Sequence, residues 1–71
     1  MGKRKIIHPR YYAIDAYIIL EKKTHSECAK HLNMTERTFK EKIAGYYDFS
    51  AEQGRKLALF LKRSQAEIFL V

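Results

Sequence analysis

An all-α fold of five short helices is predicted by three features of the chain. Apolar residues recur at three- and four-residue spacing in successive segments. Ser or Thr stands just ahead of several of these, with Glu or Gln three positions on, and 71 residues can bury only a single small core. A bundle built from local contacts fits that length, whereas a two-layer enzyme with a deep cleft does not.

Pro9, whose fixed backbone angle suits a first helical turn, opens helix one, in which Tyr11, Ile14, Tyr17 and Ile18 recur through AYIIL to about Lys22. Thr24 and Glu27 form a T-x-x-E capping box for helix two, and Cys28, Ala29 and Leu32 give it an apolar stripe, with Ala29 where two helices touch. Asn33 can take the left-handed conformation that ends this helix, and Met34 fills the elbow. Thr35 then caps helix three, whose Phe39 and Ile43 point inward until Gly45 stops it. Tyr46, Tyr47, Asp48 and Phe49 make a loop. Ser50 and Gln53 form a second capping box, and Leu57, Ala58 and Leu61 give helix four its buried face. Gly54 costs this helix roughly 1 kcal/mol relative to Ala, so either its interior tolerates the weakness or another backbone packs closely there. Ser64 and Glu67 form a third box. It opens a last short helix whose Ile68, Phe69 and Leu70 are expected to dock on the core, because so small a chain does not leave such a cluster exposed. No internal repeat, low-complexity stretch or linker interrupts the order.

Residues 24–45, THSECAKHLNMTERTFKEKIAG, have the outline of a helix-turn-helix: two short amphipathic helices and a turn tight enough to fix their crossing. A second helix held by its inner face presents the opposite side, here Glu36, Arg37, Lys40 and Glu41, to whatever the protein binds. Arg37 suits a bidentate contact to guanine, Lys40 a contact to guanine or phosphate, and Glu36 can accept from cytosine. The same residues also form two i,i+4 ion pairs, Glu36 with Lys40 and Arg37 with Glu41, each stabilising the helix by a few tenths of a kcal/mol and leaving its outer face nearly neutral.

The formal net charge is +6, and its distribution matters more than its size. Lys3, Arg4, Lys5 and Arg10 carry four of the fourteen positive charges, and none of the eight acids falls in residues 1–10, so the remainder is nearly balanced at 10 − 8 = +2. A basic arm over 1–8 ahead of a domain over 9–71 can neutralise phosphates or enter a minor groove; the plainer alternative is a solvated tail. The single Cys28 excludes an internal disulfide and fits a reducing cytosol. No apolar run approaches the roughly 20 residues that cross a bilayer, so a cytoplasmic protein with no membrane partner is expected.

Two constellations look chemical. His25, Cys28 and His31 are all candidate zinc ligands, but successive steps of three drift around a helix, no fourth ligand stands near, and Cys28 falls in the apolar stripe. Ser26 beside His25 is no nucleophile and base, because helix neighbours point apart. Neither enzyme activity, nor a metal, nor a cofactor is expected.

The pattern of a capped helix followed by Ala29, Leu32, Asn33, Met34, Thr35, Thr38, Phe39, Ile43 and Gly45 resembles the helix-turn-helix of the phage repressor and Cro-like regulators. The segment DFSAEQGRKLALFLKRSQAEIFLV is similar to the two closing helices of that lambda repressor-like fold. The resemblance covers most of the chain. It implies a regulator of a genetic (lysis/lysogeny) switch in a bacterial host cell, reading operator DNA from Thr35, Glu36 and Arg37 and, one turn on, from Lys40 or Glu41. His25 stands where the family often has a Gln that touches phosphate, and Asn33 where it usually has the turn Gly. A rival reading comes from the acids on this helix and from Tyr11, Tyr12, Tyr46 and Tyr47, since Tyr suits protein interfaces and acids can meet the basic surface of a DNA-binding protein. Small phage modulators of repression resemble that description: they share the fold but bind the phage repressor protein and take it off its operators. Homodimer formation is left open.

Overall fold

Side-chain caps set four of the five helix starts in the computed structural model, which describes residues 5–70. Among these residues the chain forms five helices and no strand: α1 (Tyr12–Leu20), α2 (His25–His31), α3 (Glu36–Ala44), α4 (Ala51–Phe60) and α5 (Gln65–Ile68). Thr35 Oγ1 accepts from the Thr38 N–H (3.1 Å), Ser50 Oγ from Gln53 (3.1 Å) and Ser64 Oγ from Glu67 (3.1 Å), each satisfying a donor the helix leaves open. Gln53 and Glu67 return bonds to the Ser50 and Ser64 N–H groups, completing both expected boxes. These bonds from Ser64 hold the Glu67 carboxyl below its ordinary range. The box expected at α2 is half formed: Thr24 Oγ1 accepts from the Glu27 N–H at 3.0 Å, without a reciprocal bond from Glu27.

Three helices end alike. After α1, α2 and α4 a residue with positive φ (Lys22 at 55°, Asn33 at 57°, Lys62 at 57°) turns the chain. The next N–H then reaches back five residues, Lys23 to Ile18 O, Met34 to Ala29 O and Arg63 to Ala58 O. Asn33 therefore plays its expected part. Gly45, at φ 111°, closes α3.

The start of α1 differs from expectation. Pro9 lies outside the helix, which begins at Tyr12 behind an uncapped Tyr11. The reason is tertiary: the Tyr11 N–H donates to Ile43 O (3.0 Å) and the Ile7 N–H to Gly45 O (2.7 Å), so the segment before α1 runs along the end of α3 instead of coiling. His8 fastens it further, its two ring nitrogens facing the carbonyl oxygens of Pro9 (2.6 Å) and Tyr47 (2.7 Å).

Phe39, Ile14, Ile18, Ile43, Leu57, Leu61, Ile68 and Cys28 are the fully buried side chains, and every helix contributes at least one. The radius of gyration, 11.6 Å, is close to the roughly 11 Å expected of a compact domain of this length. No helix among the described residues is long and apolar enough to cross a membrane. Two packing expectations need correction. Of the closing cluster, Ile68 is buried and Phe69 packs edge-on to Tyr11 (4.9 Å between ring centres), but Leu70 stays 69% exposed because it lies beyond the four-residue α5. Tyr11 is core rather than surface, its hydroxyl donating to Asp48 Oδ1 at 2.9 Å. Burial first, and Asp48 second, push its hydroxyl up to about 12. At Gly54 the close neighbour is a ring, not a backbone: a Cβ there would lie 2.8 Å from Phe69 Cε2.

Candidate nucleic-acid interface

The expected binding residues converge on one side of α3. Phe39 and Ile43 bury its inner face against the core, and the Thr35 cap fixes its amino end, so the outer face is held rigidly. An open groove of about 800 Å³ runs along that face, lined by Glu36, Arg37, Lys40 and Glu41 of α3, by Arg10, Asp15 and His25 from the start of the fold, and by Tyr46. Thr35 is exposed at the head of α3, but its hydroxyl is engaged with Thr38 Oγ1 at 2.9 Å. Tyr47 is half exposed on the neighbouring loop.

The charges in this groove are satisfied internally. Lys40 Nζ lies 2.9 Å from Glu36 Oε2, and Arg37 Nε lies 3.6 Å from Glu41 Oε2, which are the two i,i+4 pairs the spacing predicts. Exposed pairs of this kind stabilise a helix by only about 0.3–0.5 kcal/mol each and are screened by salt, so a phosphate can compete for either cation. Arg37 is the freer of the two, with its side chain 86% exposed.

Asp15 is the residue that sequence reasoning missed. Its Oδ2 accepts from Arg10 Nη2 at 2.9 Å and its Oδ1 from His25 Nε2 at 2.9 Å, so one carboxylate of α1 holds two cation-forming side chains. This changes the role expected of both. Arg10 is tied to the helix start instead of swinging with the arm. His25, with its Nε2–H committed, has no second donor in the neutral ring and can offer one to phosphate only as imidazolium. The signal was absent from the sequence because positions 15 and 25 are brought together by tertiary packing. Asp15→Asn is expected to release Arg10 and His25 and to tighten binding to nonspecific duplex DNA several-fold. The salt dependence should steepen by about one to two units of log–log slope, one for each additional phosphate neutralised. Anisotropy titrations at several salt concentrations check this.

Of the arm residues, Lys5 is exposed at the start of the described chain, while Lys3 and Arg4 lie outside the described residues. The three residues weighed as zinc ligands do not converge: His25 is on Asp15, His31 stacks on Phe60 with 4.4 Å between ring centres, and Cys28 is in the core. Burial pushes the Cys28 thiol up to about 11, which keeps it protonated at neutral pH.

No family model, curated protein or solved structure matches the chain, so the groove is interpreted from its own geometry.

Proposed function

We propose that the chain is a helix-turn-helix regulator of the phage repressor and Cro-like kind, acting in a genetic switch by binding operator DNA through α3. The observation that carries this reading is the placement of α3: anchored by Phe39 and Ile43, capped by Thr35, and turning Arg37 and Lys40 outward over an open groove. Helices of that description enter a major groove with their amino-terminal residues against base edges. Asn33 supports it by ending α2 with positive φ, which leaves a turn of only four residues, Leu32 to Thr35, before α3. The excess of cations near the amino terminus supplies the sequence-independent attraction. Neither a cofactor nor a catalytic step enters the proposal.

Arg37 is assigned to a base. Arg37→Ala is expected to weaken operator binding by about 1–3 kcal/mol and to relax preference at one base pair, because a bidentate Arg–guanine contact is lost. The stability cost is small, since the pair with Glu41 is exposed on the Arg37 side. Selection of binding sites from a random duplex library, followed by titration, measures both effects. Equal loss on all sequences makes Arg37 a phosphate contact.

A second reading is favoured by the internal pairing of the groove. Three carboxylates, Asp15, Glu36 and Glu41, line the surface that would approach phosphates, and each is engaged by a cation of the same surface. Such a charge-balanced face also suits a basic protein partner, namely a phage repressor whose DNA-binding surface these acids would cover. On this reading the chain is an antirepressor.

A further inference from the structure

Helix α1 is apolar on two sides. Ile14 and Ile18 face the core, and steps of about 100° per residue place Tyr12, Ala16, Ile19 and Leu20 on a second stripe roughly opposite. Tyr12 is 72% exposed, Ile19 75% and Leu20 64%. No charged side chain interrupts the stripe: Asp15 turns into the groove, and Lys22 and Lys23 lie past the helix end. The exposed face of α3, by contrast, carries Glu36, Arg37 and Lys40. A helix apolar all round is ordinarily covered on every side.

We propose that this stripe is a homodimer interface in which α1 of two copies pack antiparallel about a two-fold axis through Ala16. A two-fold contact requires a patch complementary to itself. The stripe has that property: Ala16 is small enough to let two helices approach, with Tyr12 four residues before it and Leu20 four residues after. Antiparallel pairing sets Tyr12 of each copy against Leu20 of the other and packs Ile19 alongside. Side chains of this size present on the order of 200 Å² each when fully exposed, so the three leave about 400 Å² per copy and about 800 Å² per pair. With homodimer interfaces about 65% apolar, the whole contact buries about 1,200 Å². That is the lower end of specific interfaces, and it points to a dimer that forms in the micromolar range.

Sedimentation of the full chain from about 1 µM to about 500 µM is expected to show the mass rising from one chain to two and levelling there. Ile19→Glu should move the midpoint at least tenfold upward, whereas Leu59→Glu, on the equally exposed outer side of α4, should leave it in place; helix content serves as the fold control. Cross-linking tests the register. Ala16→Cys should form an oxidised dimer through the two-fold axis, and Tyr12→Cys should not, because eight residues at 1.5 Å rise separate it from its counterpart by about 12 Å. Buried Cys28 stays silent in both. A chain that remains monomeric throughout, association that survives Ile19→Glu, growth beyond two copies, or cross-linking at Tyr12→Cys in place of Ala16→Cys overturns the proposal. The first of these outcomes leaves the stripe to a different protein.

Discussion

Phe39→Ala is expected to unfold the chain. Phe39 is the largest fully buried side chain, and its ring meets the edge of His25 at 6.0 Å and that of Phe49 at 5.8 Å between centres. Truncating a buried Phe costs about 3–5 kcal/mol, from lost transfer energy and from the cavity left behind. A single core in a domain this small supplies about the same amount, so little net stability remains. Thermal melting followed by circular dichroism should show loss of the cooperative transition, not a modest shift. Phe39→Leu keeps much of the volume and should remain folded with a lowered midpoint. Because the same ring anchors α3, any folded fraction of Phe39→Ala should also lose binding through the outer face of that helix.

Gly45→Ala should be the most damaging change at a site with no side chain at all. Gly45 has φ 111°, a conformation that L side chains rarely adopt, and a Cβ there would lie 2.2 Å from the carbonyl oxygen of His8. The neighbour is backbone and cannot swing away. It is also held, because Ile7 bonds Gly45 O and His8 faces Tyr47 O. Backbone strain alone costs about 1–3 kcal/mol, and relief of the clash requires the segment before α1 to lift from α3. We expect destabilisation of at least about 2 kcal/mol together with faster hydrogen exchange at the Ile7 and Tyr11 amides, which donate across this contact. A variant as stable as the wild type, with those amides still protected, would contradict the docking described for residues 7–11.

Much of this architecture was legible because its determinants are local. Thr35, Ser50 and Ser64 announce helix starts by a hydroxyl and an N–H three residues apart, and Asn33 and Gly45 announce stops by their tolerance of positive φ. The pairs Glu36–Lys40 and Arg37–Glu41 follow from four-residue spacing alone. What could not be read depends on residues far apart in the chain. Lys22 and Lys62 adopt positive φ with no side-chain signal for it, because the next N–H in each case finds a carbonyl of the preceding helix. Pro9 suits a helix start and an extended segment equally well, and the choice was made by α3, which takes the Tyr11 N–H. Tyr11 is drawn into the core by Asp48, 37 positions away. The gathering of Arg10 and His25 on Asp15 is the same kind of event, and it is why the electrostatics of the groove differ most from the sequence expectation.

The claim that α3 presents a DNA-binding face is tested most directly by replacing both of its acids. Glu36→Gln with Glu41→Gln removes two charges that would face phosphates and frees Lys40 and Arg37 from their pairs. The measurement is a fluorescence-anisotropy titration of a random-sequence duplex at about 50 mM salt, where phosphate contacts are least screened. Wild type and double variant are compared side by side, with helix content recorded for each. If DNA is the partner, the wild type binds and the double variant binds at least as tightly, with a salt dependence as steep or steeper. A wild-type chain that fails to bind the duplex at low salt, or a double variant that keeps its helices and loses the duplex, contradicts it.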